Sequence, residues 1–233
     1  RDMPDASQPP VILARGLARR FGRRWAFSHV DLEVQAGERL LIVGANGSGK
    51  TTLLRVLSTI LGPTLGTMQL FGGLSASDAR RRLALLSHHV GLYEDLSALD
   101  NLRVLGRFVK NDGGAPRALL ARVGLEPDRQ DPVRAFSAGM RKRLQLAALL
   151  LQQPDVVFLD EPFAALDPQG CRDVADIVGE LKGAVLMASH QLARAAAICD
   201  RALLMSAGQP RWEGPAHEVA RAWEQLDRTD GAA

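Results

Sequence analysis

Residues 30–34, Val-Asp-Leu-Glu-Val, alternate apolar and charged with period two. That pattern predicts a strand with one face on a core and one in water. Residues 11–14 read as a short strand before it, and Ala36-Gly37-Glu38 as a turn after it. Leu40-Leu41-Ile42-Val43 is a continuous apolar run, the mark of a strand covered on both faces. A helix is predicted from Lys50 to about Leu61, where Gly62-Pro63 stops it. Residues 67–71 read as an edge strand, and residues 80–86 lead into a polar break at Ser87-His88-His89. Residues 98–151 read as mostly helical, with interruptions at 111–114 and 127–132. Strand signals return at 156–159, 184–188 and 202–205, with helices between them. Residues 215–226 suit a terminal helix. This order predicts an α/β fold, a parallel core with a helical insertion.

Composition adds limits to that picture. The 233 residues suit one large or two small domains, and no internal repeat divides them. The hydrophobic share of 46% and charged share of 24% are those of a globular chain. Lysine and arginine exceed aspartate and glutamate by 29 to 26, a net +3, too small a surplus to imply a nucleic-acid partner. The arginines at 15, 19, 20, 23 and 24 read as exposed charge around an anionic ligand. Cys171 and Cys199 form no CxxC and read as reduced thiols. No apolar run reaches membrane-spanning length. Residues 1–10 are polar and proline-rich, a loose tail without the apolar stretch of a signal peptide.

The chemistry begins at Gly44-Ala45-Asn46-Gly47-Ser48-Gly49-Lys50-Thr51, which fits G-x-x-x-x-G-K-[ST] at each fixed position. An apolar strand precedes it and a helix follows. The glycines let the backbone curl so that its N–H groups face a phosphate, and the helix N-terminus adds a positive dipole end. Lys50 would reach the β- and γ-phosphates, and the Thr51 hydroxyl would bind Mg²⁺, with Thr52 beside it. A second apolar strand, Val156-Val157-Phe158-Leu159, ends in Asp160-Glu161. Such a strand end lies beside the phosphate loop, where sheets of this kind bind ligands. Asp160 is the expected Mg²⁺ partner, mostly through water. Glu161 is placed to polarise an attacking water.

Further segments resemble the ABC ATPases, in that family's order, over nearly the whole chain. Phe136-Ser137-Ala138-Gly139-Met140 looks like the signature motif usually written LSGGQ. Ala165-Leu166-Asp167 looks like the D-loop and Ser189-His190 like the switch histidine. Phe21 matches the aromatic that stacks on adenine, with Trp25 as a neighbouring competitor. The break at His88 occupies the Q-loop. The resemblance implies a P-loop NTPase (RecA-like) core with an antiparallel β subdomain and an inserted helical subdomain. It places the core at about 11–87 and 154–213, the helical part at about 88–153 and a C-terminal helix at 214–233. It implies ATP and Mg²⁺ as ligands and hydrolysis of ATP, with Glu161, His190 and His88 at the reacting phosphate. Ser137 and the Gly139 N–H would bind the nucleotide of a second ATPase chain, so that two copies sandwich two ATPs. Ala138 and Met140 depart from the motif; a small residue at 138 keeps backbone access, and Met140 removes one polar contact.

The Q-loop narrows the resemblance further. Leu85-Leu86-Ser87-His88 stands where Leu-Pro-Gln is common, and imidazole replaces an amide as a hydrogen-bonding group. A histidine there, with 91–93 and 96–102, resembles the ATP-binding subunit of the cytochrome c maturation haem exporter (the CcmA type). Ser87 departs from the glycine of that group, and the same segment resembles ABC-2-type drug and polysaccharide exporters. Little follows the last predicted strand, so no appended regulatory domain is expected, which also fits that group. The resemblance also implies integral membrane permease subunits docking at His88–Leu102, through exposed Leu92, Tyr93 and Leu96, and a peripheral place on the cytoplasmic face of the inner membrane. A soluble ABC ATPase acting on nucleic acid or ribosomes is disfavoured by the single phosphate loop and the absence of a heptad run. A non-hydrolysing nucleotide-gated module is disfavoured by the presence of both Glu161 and His190.

Overall fold

A computed structural model describes residues 9–86, 91–108 and 115–230. The first two strands, β1 (Ile12–Phe21) and β2 (Arg24–Val34), form a long antiparallel hairpin. Both are longer than the alternating pattern predicts, because bulges interrupt their register and break the period of two. Strand β4 (Leu65–Leu70) pairs with β1 and completes a three-stranded antiparallel sheet.

The second sheet has six strands in the order β5-β6-β7-β3-β8-β9. These are β3 (Arg39–Val43), β5 (Leu83–Leu86), β6 (Val156–Asp160), β7 (Ala184–Ala188), β8 (Arg201–Ser206) and β9 (Gln209–Pro215). All pair in parallel except β9, which runs antiparallel to β8. The continuous apolar runs of β3, β6 and β7 are buried on both faces. Leu40, Ile42, Val156, Phe158, Ala184 and Leu186 face the side that carries the antiparallel sheet. Leu41, Val43, Val157, Leu159, Val185 and Met187 face the opposite side. Each of the valine, leucine, isoleucine, methionine and phenylalanine side chains among them contributes about 1.5–3 kcal/mol on burial.

Helix α1 (Lys50–Leu57) packs on the first side, and α2 (Ala76–Arg80) precedes β5. Between β5 and β6 lie α3 (Ala98–Gly106), α4 (Pro116–Arg122) and α5 (Ala138–Gln152). Helices α6 (Pro168–Glu180) and α7 (Leu192–Ala196) connect the later strands, and α8 (Val219–Asp230) follows β9. Helix α1 is shorter than predicted: its chain turns at Ser58 and Thr59, where φ is 64°, before Gly62-Pro63 is reached. Among the described residues no helix is long and apolar enough to cross a membrane.

This topology determines where the functional loops emerge. Strand β7 lies between β6 and β3, and Ala188 stands level with both Asp160 and Ile42. The loops leaving β3, β6 and β7 therefore open together at one end of the sheet. They carry Gly44, Glu161 and Ser189 respectively.

Candidate functional site

The phosphate loop is shaped by close backbone packing. Gly49 caps α1 with φ 100° and no side-chain cap. A Cβ there would lie 2.4 Å from the Ala26 carbonyl oxygen, so only glycine lets the loop sit against β2. The first N–H groups of α1 have no partner inside the helix. Ser48 Oγ is buried and lacks a hydrogen-bond partner. Lys50 folds back, its Nζ donating to the Gly44 oxygen at 2.7 Å and the Ala45 oxygen at 2.9 Å. Burial lowers the Lys50 pKa from its ordinary value, and the negative charges of Glu161 and Asp160 oppose that shift. The loop thus holds a cation and unsatisfied donors, a donor set that suits a phosphate chain.

The acidic strand end meets this loop directly. Thr51 Oγ1 donates to Asp160 Oδ1 at 3.0 Å. Asp160 is 7% exposed, while Glu161 and His190 reach towards solvent. The Glu161 carboxylate meets His190 Nδ1 at 2.8 Å and the His190 backbone N–H at 3.3 Å. An ionised carboxylate only accepts, so the ring contact needs a proton on Nδ1 and leaves Nε2 turned to other partners. The pairing joins residues 29 apart in sequence through the alignment of β6 and β7.

Phe21, Trp25, Asn46, Lys50, Thr52 and Glu161 line one cleft of about 510 Å³, together with Gly47, Gly49 and Thr51. Phe21 and Trp25 are 50% and 42% exposed, large for aromatic side chains. The Arg19 guanidinium lies 4.8 Å from the Phe21 ring centre, and that of Arg20 lies 5.2 Å from Trp25. The tip of the β1–β2 hairpin therefore offers two rings, each backed by an arginine, beside the phosphate loop.

Ser137 and Gly139 do not line that cleft. They line a separate concavity of about 440 Å³ with Met140, Arg143, Ala165 and Asp167. The Ser137 hydroxyl caps α5 by accepting from the Met140 N–H at 3.2 Å. Asp167 caps α6 by accepting from the Gly170 N–H at 2.9 Å. Arg143 stands 3.5 Å from Asp167, tying the two helix starts together.

His88 lies outside the described residues. Of the apolar residues expected to be exposed beyond it, Tyr93 is 48% exposed. Leu92 and Leu96 are instead half-buried, and Leu92 packs on the core. The cause is Asn101, fully buried, whose side chain accepts from Tyr93 N–H at 2.8 Å and donates to the Tyr93 and Ser97 carbonyls at 3.0 and 2.9 Å. It folds the segment inward. A groove of about 350 Å³ runs beside it, lined by Leu83, Leu85, Leu92, Leu105, Ala148 and Gln152 among others.

One site residue escapes sequence reasoning. Lys142 of α5 is 5% exposed, and its Nζ donates to the Glu161 carbonyl at 3.2 Å. Burial lowers its pKa, against the attraction of Asp160 and Glu161. In sequence it is one basic residue between two arginines, which reads as a solvated charge run.

The ABC transporter family model matches residues 27–164. The daunorubicin resistance ATP-binding protein DrrA3 of Streptomyces coeruleorubidus is 40% identical over 232 residues, spanning 94% of this chain and 72% of that protein. The cytochrome c biogenesis ATP-binding export protein CcmA of Xanthomonas campestris pv. campestris is also 40% identical, over 88% of this chain and 98% of its own. In fold, the chain superposes on a solved ATP-binding subunit of an ABC transporter with a TM-score of 0.81. That match is 24% identical and covers 92% of this chain and 93% of the other.

Proposed function

The chain belongs to the ABC transporter family as an ATP-binding and ATP-hydrolysing subunit, and from that premise we propose that two copies sandwich two ATPs and drive a membrane partner. The observation that supports this most is the separation of the two half-sites. Lys50 and Glu161 line one concavity, and Ser137 and Gly139 line another. A second copy, turned to bring its Ser137 concavity over this chain's Lys50 cleft, completes each site.

Within that reading the residues divide the work. Phe21, with Trp25 beside it, stacks on the adenine; a ring on a base contributes about 1–3 kcal/mol. Gly44, Asn46, Gly47, Ser48, Gly49 and Thr52 surround the phosphates, and Lys50 exchanges its two carbonyl partners for phosphate oxygens. Thr51 and Asp160 would hold Mg²⁺, a hydroxyl and a carboxylate being oxygen donors that suit this hard ion. Bound there, it would supply neutralisation of the phosphate charge. Glu161 polarises the attacking water, His190 holds the carboxylate in place, and His88 adds a hydrogen bond from the Q-loop. Catalysis is positioning and electrostatics, and closure of the pair transmits the work.

Replacing Glu161 with glutamine tests the assignment. Hydrolysis by E161Q should fall at least ~100-fold, the scale of a lost general base, with nucleotide binding retained. Undiminished turnover would overturn it.

For the membrane partner, the groove beside Leu92 and Leu105 receives a permease segment at the cytoplasmic face of the inner membrane. The cargo reading is haem export in cytochrome c biogenesis. It is supported by His88 in the Q-loop and by the 40% identity to CcmA along 98% of that protein. Drug export is the second reading, supported by the equal identity to DrrA3. Co-purification from detergent-solubilised membranes should recover a permease, and its absence would defeat the transporter role. Restoration of cytochrome c assembly in a strain lacking its own exporter ATPase supports the first reading; failure there, with gained drug resistance, supports the second.

A further inference from the structure

We propose that Lys142 is a positioning residue that ties the helix beginning at Ser137 to the backbone of Glu161, so that the placement of the Glu161 carboxylate follows the placement of that helix. The proposal rests on the reading of Glu161 as the residue that polarises water.

Glu161 is held in an uncommon conformation. Its φ is 50°, in the left-handed region, which a side-chain-bearing residue adopts only at a steric cost. It also precedes Pro162, and the residue before a proline favours an extended backbone near −120°. Four contacts oppose its relaxation. Its N–H donates to the Ala188 carbonyl of β7 at 2.9 Å, its carboxylate meets His190, and its carbonyl accepts from Lys142 and, within the turn itself, from the Ala164 N–H at 3.2 Å. The first two come from β7 and the loop after it. Only the third comes from α5, which starts at the Ser137 cap.

Lys142 costs the fold something. A cation kept 5% exposed carries a desolvation penalty unless bonds and opposite charge offset it. Its position in the second turn of α5 allows the ammonium to reach the peptide that follows the catalytic strand. Loss of that bond leaves the Glu161 carbonyl to the Ala164 N–H alone and uncouples α5 from the left-handed turn that aims the carboxylate. In the assembled pair, Ser137 and Gly139 meet the other chain's nucleotide. Lys142 then carries the arrival of that nucleotide to this chain's own Glu161.

The test uses the full chain with K142M, which keeps the apolar stem and removes the donors. The expected kcat falls about tenfold or more, equivalent to at least ~1.4 kcal/mol in the barrier. KM for ATP and the affinity for a fluorescent ATP analogue stay within about twofold. Thermal stability holds or rises, because methionine removes the buried charge. K142Q, which restores an uncharged donor, recovers part of the kcat. In the double variant with S137A the kcat losses combine to less than their product, as for groups acting through one path. A drop in melting temperature that accounts for the lost activity would show a merely structural lysine and overturn the proposal, as would losses that multiply with S137A. If E161Q abolishes hydrolysis while K142M keeps full kcat, the proposal fails alone. If E161Q hydrolyses normally, the underlying reading fails and takes the proposal with it.

Discussion

Gly49 and Gly47 sit two residues apart in the phosphate loop, both with left-handed backbones, φ 100° and 83°. Their surroundings differ. A Cβ on Gly49 would lie 2.4 Å from the Ala26 oxygen and 3.3 Å from Phe27 Cβ, whereas one on Gly47 would meet nothing within 4 Å. Alanine at either position pays about 1–2 kcal/mol for the left-handed backbone. At Gly49 it also forces the backbone of β2 away from the loop, an overpacking cost of about 1–3 kcal/mol. G49A should therefore lose ~2–5 kcal/mol of stability and G47A only ~1–2. For a chain of this length each kcal/mol lowers the melting temperature by roughly 2–4 °C. Urea unfolding at fixed pH measures both, with the slopes compared to exclude a changed unfolded state. ATP-analogue binding should fall in both, since both residues line the cleft. Equal stability losses would refute the reasoning, because the Ala26 carbonyl would then not be what Gly49 avoids.

Other substitutions separate binding from folding. K50M should weaken nucleotide binding at least ~10-fold, as charge-assisted bonds are lost, without lowering the stability of the empty protein; titration and thermal melts read the two effects. H190A and E161Q should be non-additive in kcat, because His190 acts through the carboxylate that E161Q removes. N101A strips the bonds that fold residues 93–97 and should cost ~2–4 kcal/mol, with faster proteolysis of that segment as the direct readout. The Asp100 carboxyl is held below its ordinary 3.8 by the Ser97 hydroxyl and by Arg103. It binds fewer protons folded than unfolded, so its stabilisation is present above that value and lost as pH falls through the lower folded one. D100N should flatten the acid limb of a stability–pH curve measured below pH ~4.

The parts legible in sequence were those whose physics is local. A run such as Leu40–Val43 can be buried on both faces only in the middle of a sheet, and the phosphate loop follows it because the turn and helix start are written in adjacent residues. Glu161 was legible as a strand-end residue and His190 only through the family resemblance, and the parallel alignment of β6 and β7 brings them together. Strand β9 was not legible. Gln209–Pro215 contains two prolines and a glycine, and its burial alternates only between exposed and half-buried, so neither face marks it as core. An edge strand tolerates those prolines because one side of its ladder is free. Strand β5 was hidden by its length: Leu83–Leu86 is four residues, too short to show a period, and parallel pairing with β6 defines it. Lys142 shows the limit most clearly. Charge in a basic run predicts exposure, since burial of a cation is costly. It is buried here because α5 crosses the end of β6 beside the carbonyl of the left-handed Glu161, and that crossing is tertiary information which no window of sequence contains.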